Sequence, residues 1–196
     1  MSSQVQPVSR QDQPVENSLG RLAQEGKFLT FVLGQEEYGL EILKVREIIG
    51  YMEITHVPKT PDYIKGIINL RGKVIPVVDL RTHFGMEAID VTEATCIIVV
   101  EITQDDRHVE TGSIVDQVSE VLDITEEQIE EAPQFGSSVD TQFILGMGKI
   151  GDSVKILLEI DKVLANNAVT ALADAAEQEA SVKQKTSVKQ KTLESV

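Results

Sequence analysis

The sequence predicts a mainly β protein built as two small β-barrels followed by a C-terminal helix. Two observations carry that expectation. The first is a duplication. The pattern G-x-x-[IV]-x-x-V-x-E-[IV]-[IL] occurs as Gly39, Ile42, Val45, Glu47, Ile48, Ile49 and again as Gly112, Val115, Val118, Glu120, Val121, Leu122, offset by 73 residues. Downstream, Gly66-Ile67 through Val74, Val77, Val78, Asp79, Leu80 parallels Gly146-Met147 through Val154, Leu157, Leu158, Glu159, Ile160 at an offset of 80. Solenoid repeats recur every roughly 20–50 residues. A longer spacing implies two similar folds in tandem, with a seam between them that is a natural place to hold a partner. The second observation is rhythm: short β-branched runs are broken by turn signals every roughly 8–12 residues, as in sandwiches and small barrels.

Taken in order, residues 1–26 are polar, carry Pro7 and Pro14, and read as a flexible leader. Phe28–Leu33 is an aromatic and β-branched strand stopped by Gly34, and Glu36–Tyr38 has the look of a hairpin turn. The apolar spacing of Leu40–Ile49 fits neither the helical nor the strand period, so a short helical turn or a bulged strand both satisfy it. Pro58 and Pro61 bracket an extended connection, because a residue preceding proline is pushed out of the helical region. Ile67-Ile68, Asn69-Leu70-Arg71-Gly72 and Val74–Leu80 read as strand, turn, strand. Pro76 within the last run points to an edge strand or a bulge, since proline donates nothing to the ladder. In the second half, Thr125-Glu126-Glu127-Gln128 has the capping-box form that opens a short helix, anchored by Ile129. Pro133, Gly136, Ser137 and Ser138 mark a loop. Val154–Ile160 is a strand, and Asp161 is placed to cap a helix through Lys162, Val163 and Leu164. The end of the chain repeats a hexamer, Ser181–Thr186 then Ser187–Thr192, and reads as a low-complexity tail.

Of 196 residues, 41% are hydrophobic and 26% charged, an ordinary globular balance. The absence of a signal-like apolar segment and the single cysteine, Cys96, which cannot form an internal disulfide, point to a reduced cytoplasmic setting. The net charge of −14 is uneven: residues 28–92 carry −2 and residues 93–165 carry −12. Nucleic acid is a poor partner for such a surface, because phosphate binding needs basic groups. The acidity serves solubility, or it leaves the less acidic first half to meet an acidic partner.

Catalytic chemistry finds little support. His56, His83 and His108 are scattered, without metal-ligand spacing, so no metal or cofactor is expected. Cys96 lies in an apolar run where a buried, inert thiol is expected. Gly146-Met147-Gly148-Lys149-Ile150-Gly151 formally matches GxGxxG, but a strand follows it where a phosphate site needs a helix N-terminus. Glu126, Glu127, Glu130 and Glu131 have no partner base; a small acidic hydrolase is the competing class they would serve. The informative positions are those where the copies differ. Arg71 stands at a turn apex where the second copy has Gly151, and it must project, since folding inward would strand its charge. Glu47 belongs to the same copy. Each could be a plain surface residue; together they form a charged pair among apolar groups, as at an interface hot spot.

Gly34-Gln35-Glu36-Glu37-Tyr38-Gly39, Ile42–Ile48, Gly66-Ile67-Ile68-Asn69-Leu70-Arg71-Gly72 and Pro76-Val77-Val78-Asp79-Leu80-Arg81 closely resemble the CheW family of chemotaxis coupling proteins. The resemblance spans residues 27–165 and leaves 166–196 as helix end and tail. It implies two intertwined five-stranded SH3-like barrels, no catalysis, and a scaffold that couples the cytoplasmic tips of chemoreceptors to the histidine kinase CheA. Carried over by position, Glu47 and Arg71 are receptor-facing charges, and Val45, Gly66 and Cys96 line the groove between barrels. The loop holding Glu130, Gln134 and Phe135 meets the kinase's regulatory domain, with Phe135 either a packing staple or a docking anchor. Gln104–Glu110 is a longer hairpin than in shorter relatives. A CheW-like coupling module of a non-chemotactic motility or developmental system is the alternative reading.

Overall fold

The computed structural model describes residues 25–104, 107–132, 142–165, 168–169, 171–173 and 175. Most of the expected leader, and the tail from residue 176 onward, lie outside the described residues. Within them run β1 (Gly26–Leu33), β2 (Glu36–Glu41), a 3-10 turn (Ile42–Lys44), β3 (Val45–Gly50), β4 (Ile64–Leu70), β5 (Lys73–Asp79), α1 (Leu80–His83), β6 (Cys96–Gln104), β7 (Arg107–Val115), β8 (Gln117–Ile124), a 3-10 turn (Glu126–Gln128), β9 (Ile129–Glu130), β10 (Ile144–Ile150), β11 (Ser153–Leu158) and α2 (Ile160–Leu164).

The strands form two sheets, ordered β8-β1-β2-β11-β10-β9 and β3-β6-β7-β5-β4. The expected two-part β architecture is therefore present as two sheets, and the copies are intertwined. They are not folded in simple tandem. The first hairpin of each copy, β1–β2 or β6–β7, lies in the sheet completed by the other copy. Short links carry the chain across: β2 reaches β3 through three residues, and β7 reaches β8 through Asp116 alone.

The repeat motifs mark the corresponding contacts. Gly39 pairs with Leu157 in the parallel β2–β11 ladder, and Gly112 pairs with Val77 in the parallel β7–β5 ladder. A Cβ on Gly39 would lie 2.9 Å from Leu157 Cδ2, and one on Gly112 would lie 2.9 Å from Ile97 Cγ2. Both glycines are thus places where two strands close on a packed core. Ladder irregularities recur too, between Ile64 and Gly66 and between Ile144 and Gly146. So do two hydrogen bonds, Asp79 N to Tyr63 O and Glu159 N to Phe143 O, both 2.8 Å. His83 Nε2 donates to Val163 O at 2.8 Å. His83 and Val163 are themselves 80 residues apart, so a pseudo-two-fold axis passes between α1 and α2.

Among the described residues, three apolar clusters result. One belongs to the six-stranded sheet (Phe28, Ile124, Ile129, Leu145, Leu157), one to the five-stranded sheet (Ile68, Ile75, Val77, Ile97, Val99, Ile114). The largest draws on both sheets and both helices, including Phe31, Leu40, Ile64, Leu80, Ile98, Leu158, Ile160 and Leu164.

Several local expectations are corrected. The first hairpin turns at Gly34-Gln35, where Gly34 takes φ +67, so Glu36–Tyr38 belong to β2. Leu40–Ile49 satisfies both alternatives, a 3-10 turn followed by a strand whose register shifts between Val45 and Glu47. Pro76 lies in an inner strand, but β5 joins β7 only from Val77 onward, so the ring falls where that side is still unpaired. Asp161 is the second residue of α2, whose N-cap is Glu159; its carboxylate instead binds Lys44 and accepts from Thr103 N at 2.7 Å. Cys96 is partly exposed, its thiol donating to Ala94 O at 2.9 Å. The Thr125–Gln128 box forms, with Thr125 N donating to Gln128 Oε1 at 2.9 Å and Ile129 buried beyond it. Among the described residues, no helix is long and apolar enough to cross a membrane.

Candidate functional site

The β4–β5 hairpin turns on Arg71 (φ +52) and Gly72 (φ +89), and Asn69 Oδ1 accepts from Gly72 N at 2.9 Å. Two successive left-handed residues are what a tight hairpin turn needs to match strand twist. Glycine meets that need without steric cost; arginine does not. The turn thus holds a long cation in a backbone conformation that its side chain resists.

β3 and β4 are opposite edges of the five-stranded sheet. Nevertheless, Arg71 Nη2 donates to Glu47 Oε1 at 2.5 Å, so the sheet curls until its edges meet at this end. A bridge between Thr55 and Ile67, with 2.9 Å hydrogen bonds in both directions, draws the chain after β3 against β4 as well. The curled end encloses a depression of about 280 Å³ lined by Arg46, Glu47, Leu70, Arg71, Lys73, Ile75, Val99 and Glu110, with every strand of the sheet contributing. Its floor is apolar, through Leu70, Ile75 and Val99. Its rim is paired charge: Arg71 with Glu47, Lys73 with Glu110 at 2.8 Å, and Arg46 with Glu101 at 2.5 Å. The hydrogen bond from Arg46 holds the Glu101 carboxyl below its usual range, against the opposing effect of partial burial. Arg71 is 77% exposed and Glu47 26%, so the arginine leans outward while its partner is held near the floor. Such an arrangement can grip a partner through charge and apolar contact. It contains no paired nucleophile and base.

Glu47 and Arg71, expected to share a face, are therefore brought into contact. The other three groove residues lie elsewhere. Val45 faces Val100 across the β3–β6 ladder, while Cys96 faces Gly50 at its far end, four rungs or about 13 Å away. Gly66, at φ +139, lies under Thr55: a Cβ there would come within 2.0 Å of the Thr55 carbonyl oxygen. Its place in the site is structural, since it lets the bridging segment close on β4. Glu130 sits opposite Met147 in β9 and pairs with Lys149 at 2.6 Å, both exposed. Gln134 and Phe135 lie outside the described residues. Sequence reasoning missed Arg46, Lys73 and Glu110 as rim residues. Lys73 adjoins the expected turn, but only the exchange of hairpins delivers Glu110 to the same mouth.

Residues 27–168 match the family model for the CheW-like domain. The chain is 42% identical over 151 residues to the chemotaxis protein CheW of Klebsiella aerogenes, covering 77% of this chain and 89% of that one. It is 34% identical over 139 residues to a probable chemotaxis protein CheW of Rhizobium etli, covering 71% and 87%. Among solved structures, it is similar to the crystal structure of the scaffolding protein TtCheW from Thermoanaerobacter tengcongensis, with a TM-score of 0.65, 39% identity, and coverage of 74% of this chain and 96% of that one.

Proposed function

The chain belongs to the CheW family of chemotaxis scaffold proteins, and on that premise we propose that it couples the cytoplasmic tips of chemoreceptors to the histidine kinase CheA through two separate surfaces. It is an adaptor without catalytic activity, working in the cytoplasm. The receptor surface is the mouth around Arg71 and Glu47. The kinase surface is the segment that begins at Glu130, in β9 of the six-stranded sheet, and includes Gln134 and Phe135. Residues 27–165 act as one domain of two pseudo-repeated halves.

The observation that carries the receptor assignment is Arg71 itself, exposed at the lip of an apolar-floored depression and held there against backbone preference. A helical receptor tip supplies both things that this mouth takes, an apolar stripe for the floor and charged flanks for the rim. Val45, Gly66 and Cys96 contribute by shaping the β3, β4 and β6 framework behind the rim. Weak contacts of this kind gain strength in an array, where neighbours raise the effective concentration.

Pull-down of a receptor-tip fragment tests the assignment. Arg71→Glu places two carboxylates at the same lip and is expected to cost about 2 kcal/mol, on the order of thirtyfold in affinity. Capture of the kinase regulatory domain serves as the control and is expected to stay unchanged. Receptor capture unaffected by the substitution, with the fold intact, refutes the role given to Arg71.

A further inference from the structure

The duplication gives the molecule two mouths by descent, but the six-stranded sheet's copy is built differently. At the offsets that superpose the halves, Arg71, Lys73 and Ile75 correspond to Gly151, Ser153 and Lys155, and Glu110 corresponds to Glu37. Val99 corresponds to Thr30, since each lies opposite the motif glycine of its neighbouring strand. In the open mouth the cation of β5 stands on the rim: Lys73, 69% exposed, reaches Glu110, and the floor position is the apolar, buried Ile75. In the other half the cation has moved two residues along the same face of the strand. Lys155 starts from the floor position, is nearly sealed from solvent, and donates to the same rim carboxylate, now Glu37. Ser119 Oγ adds a contact to Glu37 at 3.5 Å. Thr30 Oγ1 donates to Glu120 O at 2.9 Å and accepts from Glu120 N at 3.2 Å, so a second floor position is polar and already satisfied.

We propose that Lys155, bound to Glu37, silences a second receptor-type mouth, and that with Gly151 in place of arginine it fixes the chain at one receptor helix pair per molecule. The reasoning rests on the receptor reading of the Arg71 mouth. An apolar stripe cannot displace a buried ammonium from its carboxylate without leaving both charges unpaired, a loss that a surface contact does not recover. The β10–β11 turn shares a left-handed first residue, Gly151 at φ +59 against +52 at Arg71, but its second residue, Asp152, is not left-handed as Gly72 is at φ +89. What separates the two mouths is therefore side-chain identity at positions 151 and 155 together with the residue at position 152. A scaffold with two equivalent mouths would cross-link receptors directly to one another. One with a single mouth keeps its second half free for other contacts.

Calorimetric titration of a receptor-tip fragment into four chains tests this. The natural chain is expected to bind one fragment, and Arg71→Glu to weaken that binding at least tenfold. Gly151→Arg and Asp152→Gly, which restore the Arg-Gly turn of the first mouth, with Lys155→Ile are expected to bind two. Adding Arg71→Glu to these three is expected to recover affinity to within tenfold of the natural chain through the opened mouth. If Lys155→Ile unfolds the sheet, as circular dichroism would reveal, Lys155→Ala beside Gly151→Arg and Asp152→Gly gives the same comparison. A stoichiometry that stays at one, with the quadruple variant as weak as Arg71→Glu alone, overturns the proposal while leaving the receptor mouth intact. Normal binding by Arg71→Glu would instead remove the receptor reading and this inference with it.

Discussion

At the residue scale, Arg71 is where two demands conflict. A left-handed conformation costs a non-glycine residue about 1–2 kcal/mol, and the second copy fills the left-handed first position of its own turn with Gly151. Replacing Arg71 by glycine relieves that cost, but it frees the unfolded chain by about 0.4–1 kcal/mol and removes an exposed ion pair worth about 0–1 kcal/mol. These contributions nearly cancel. Arg71→Gly is therefore expected to leave stability within about 1 kcal/mol by urea unfolding while receptor capture falls on the order of thirtyfold. A loss of stability well beyond that range would make the arginine a structural residue. Arg71 and Glu47 were legible in the sequence because the repeat supplies its own comparison, a position where one copy spends a charge and the other a glycine. Glu110 and Arg46 were not, since nothing local says that β7 will reach the mouth. Lys155 reads in isolation as an ordinary strand lysine; only alignment to the buried Ile75 reveals it.

At the element scale, the exchange of hairpins follows from linker length. β8 and β2 flank β1, each antiparallel to it, so they run parallel to one another, as β3 and β7 do about β6. For a copy to close on itself, β3 would have to lie beside β1, parallel to β2. Parallel strands of one sheet need a crossover of about a dozen residues, and three residues link β2 to β3, one β7 to β8. The chain has no choice but to continue into the other sheet. Two ion pairs then lock the crossing with opposite polarity: Arg81 of α1 with Asp116 at 2.5 Å, and Asp161 of α2 with Lys44 at 2.5 Å. Within one copy the partners would be like charges, Arg81 with Lys44 and Asp161 with Asp116. Asp116 also accepts from Gly34 N at 2.7 Å. Asp116→Ala loses both bonds and is expected to cost about 2 kcal/mol. Asp116→Asn keeps an acceptor for Gly34 and should cost about half as much; equal losses by denaturant unfolding would assign the whole effect to Arg81. The individual strands were readable from their β-branched runs. The exchange was not, because the motifs repeat in sequence order whichever sheet they join. Asp161 has a good capping side chain, but its carboxylate is held by Lys44 and Thr103 in neighbouring elements.

At the scale of the whole molecule, the seam anticipated from the duplication is its largest apolar cluster, shared by both sheets and both helices. Neither copy owns a complete sheet. Cutting the chain between residues 92 and 93 is accordingly expected to yield two fragments that lack cooperative thermal unfolding alone and regain it when mixed, followed by circular dichroism. A cooperative transition in residues 1–92 alone would contradict the exchange.

The exchange also sets an order of events during synthesis. All strands of the five-stranded sheet lie between Val45 and Val115, so that sheet can close as soon as β7 has left the ribosome. Among the described strands the hairpin β1–β2 emerges first, yet its partner β8 follows β7 and its partner β11 is the last strand. The earliest-made strands must therefore wait, apolar and unsatisfied, until almost the entire domain has been translated.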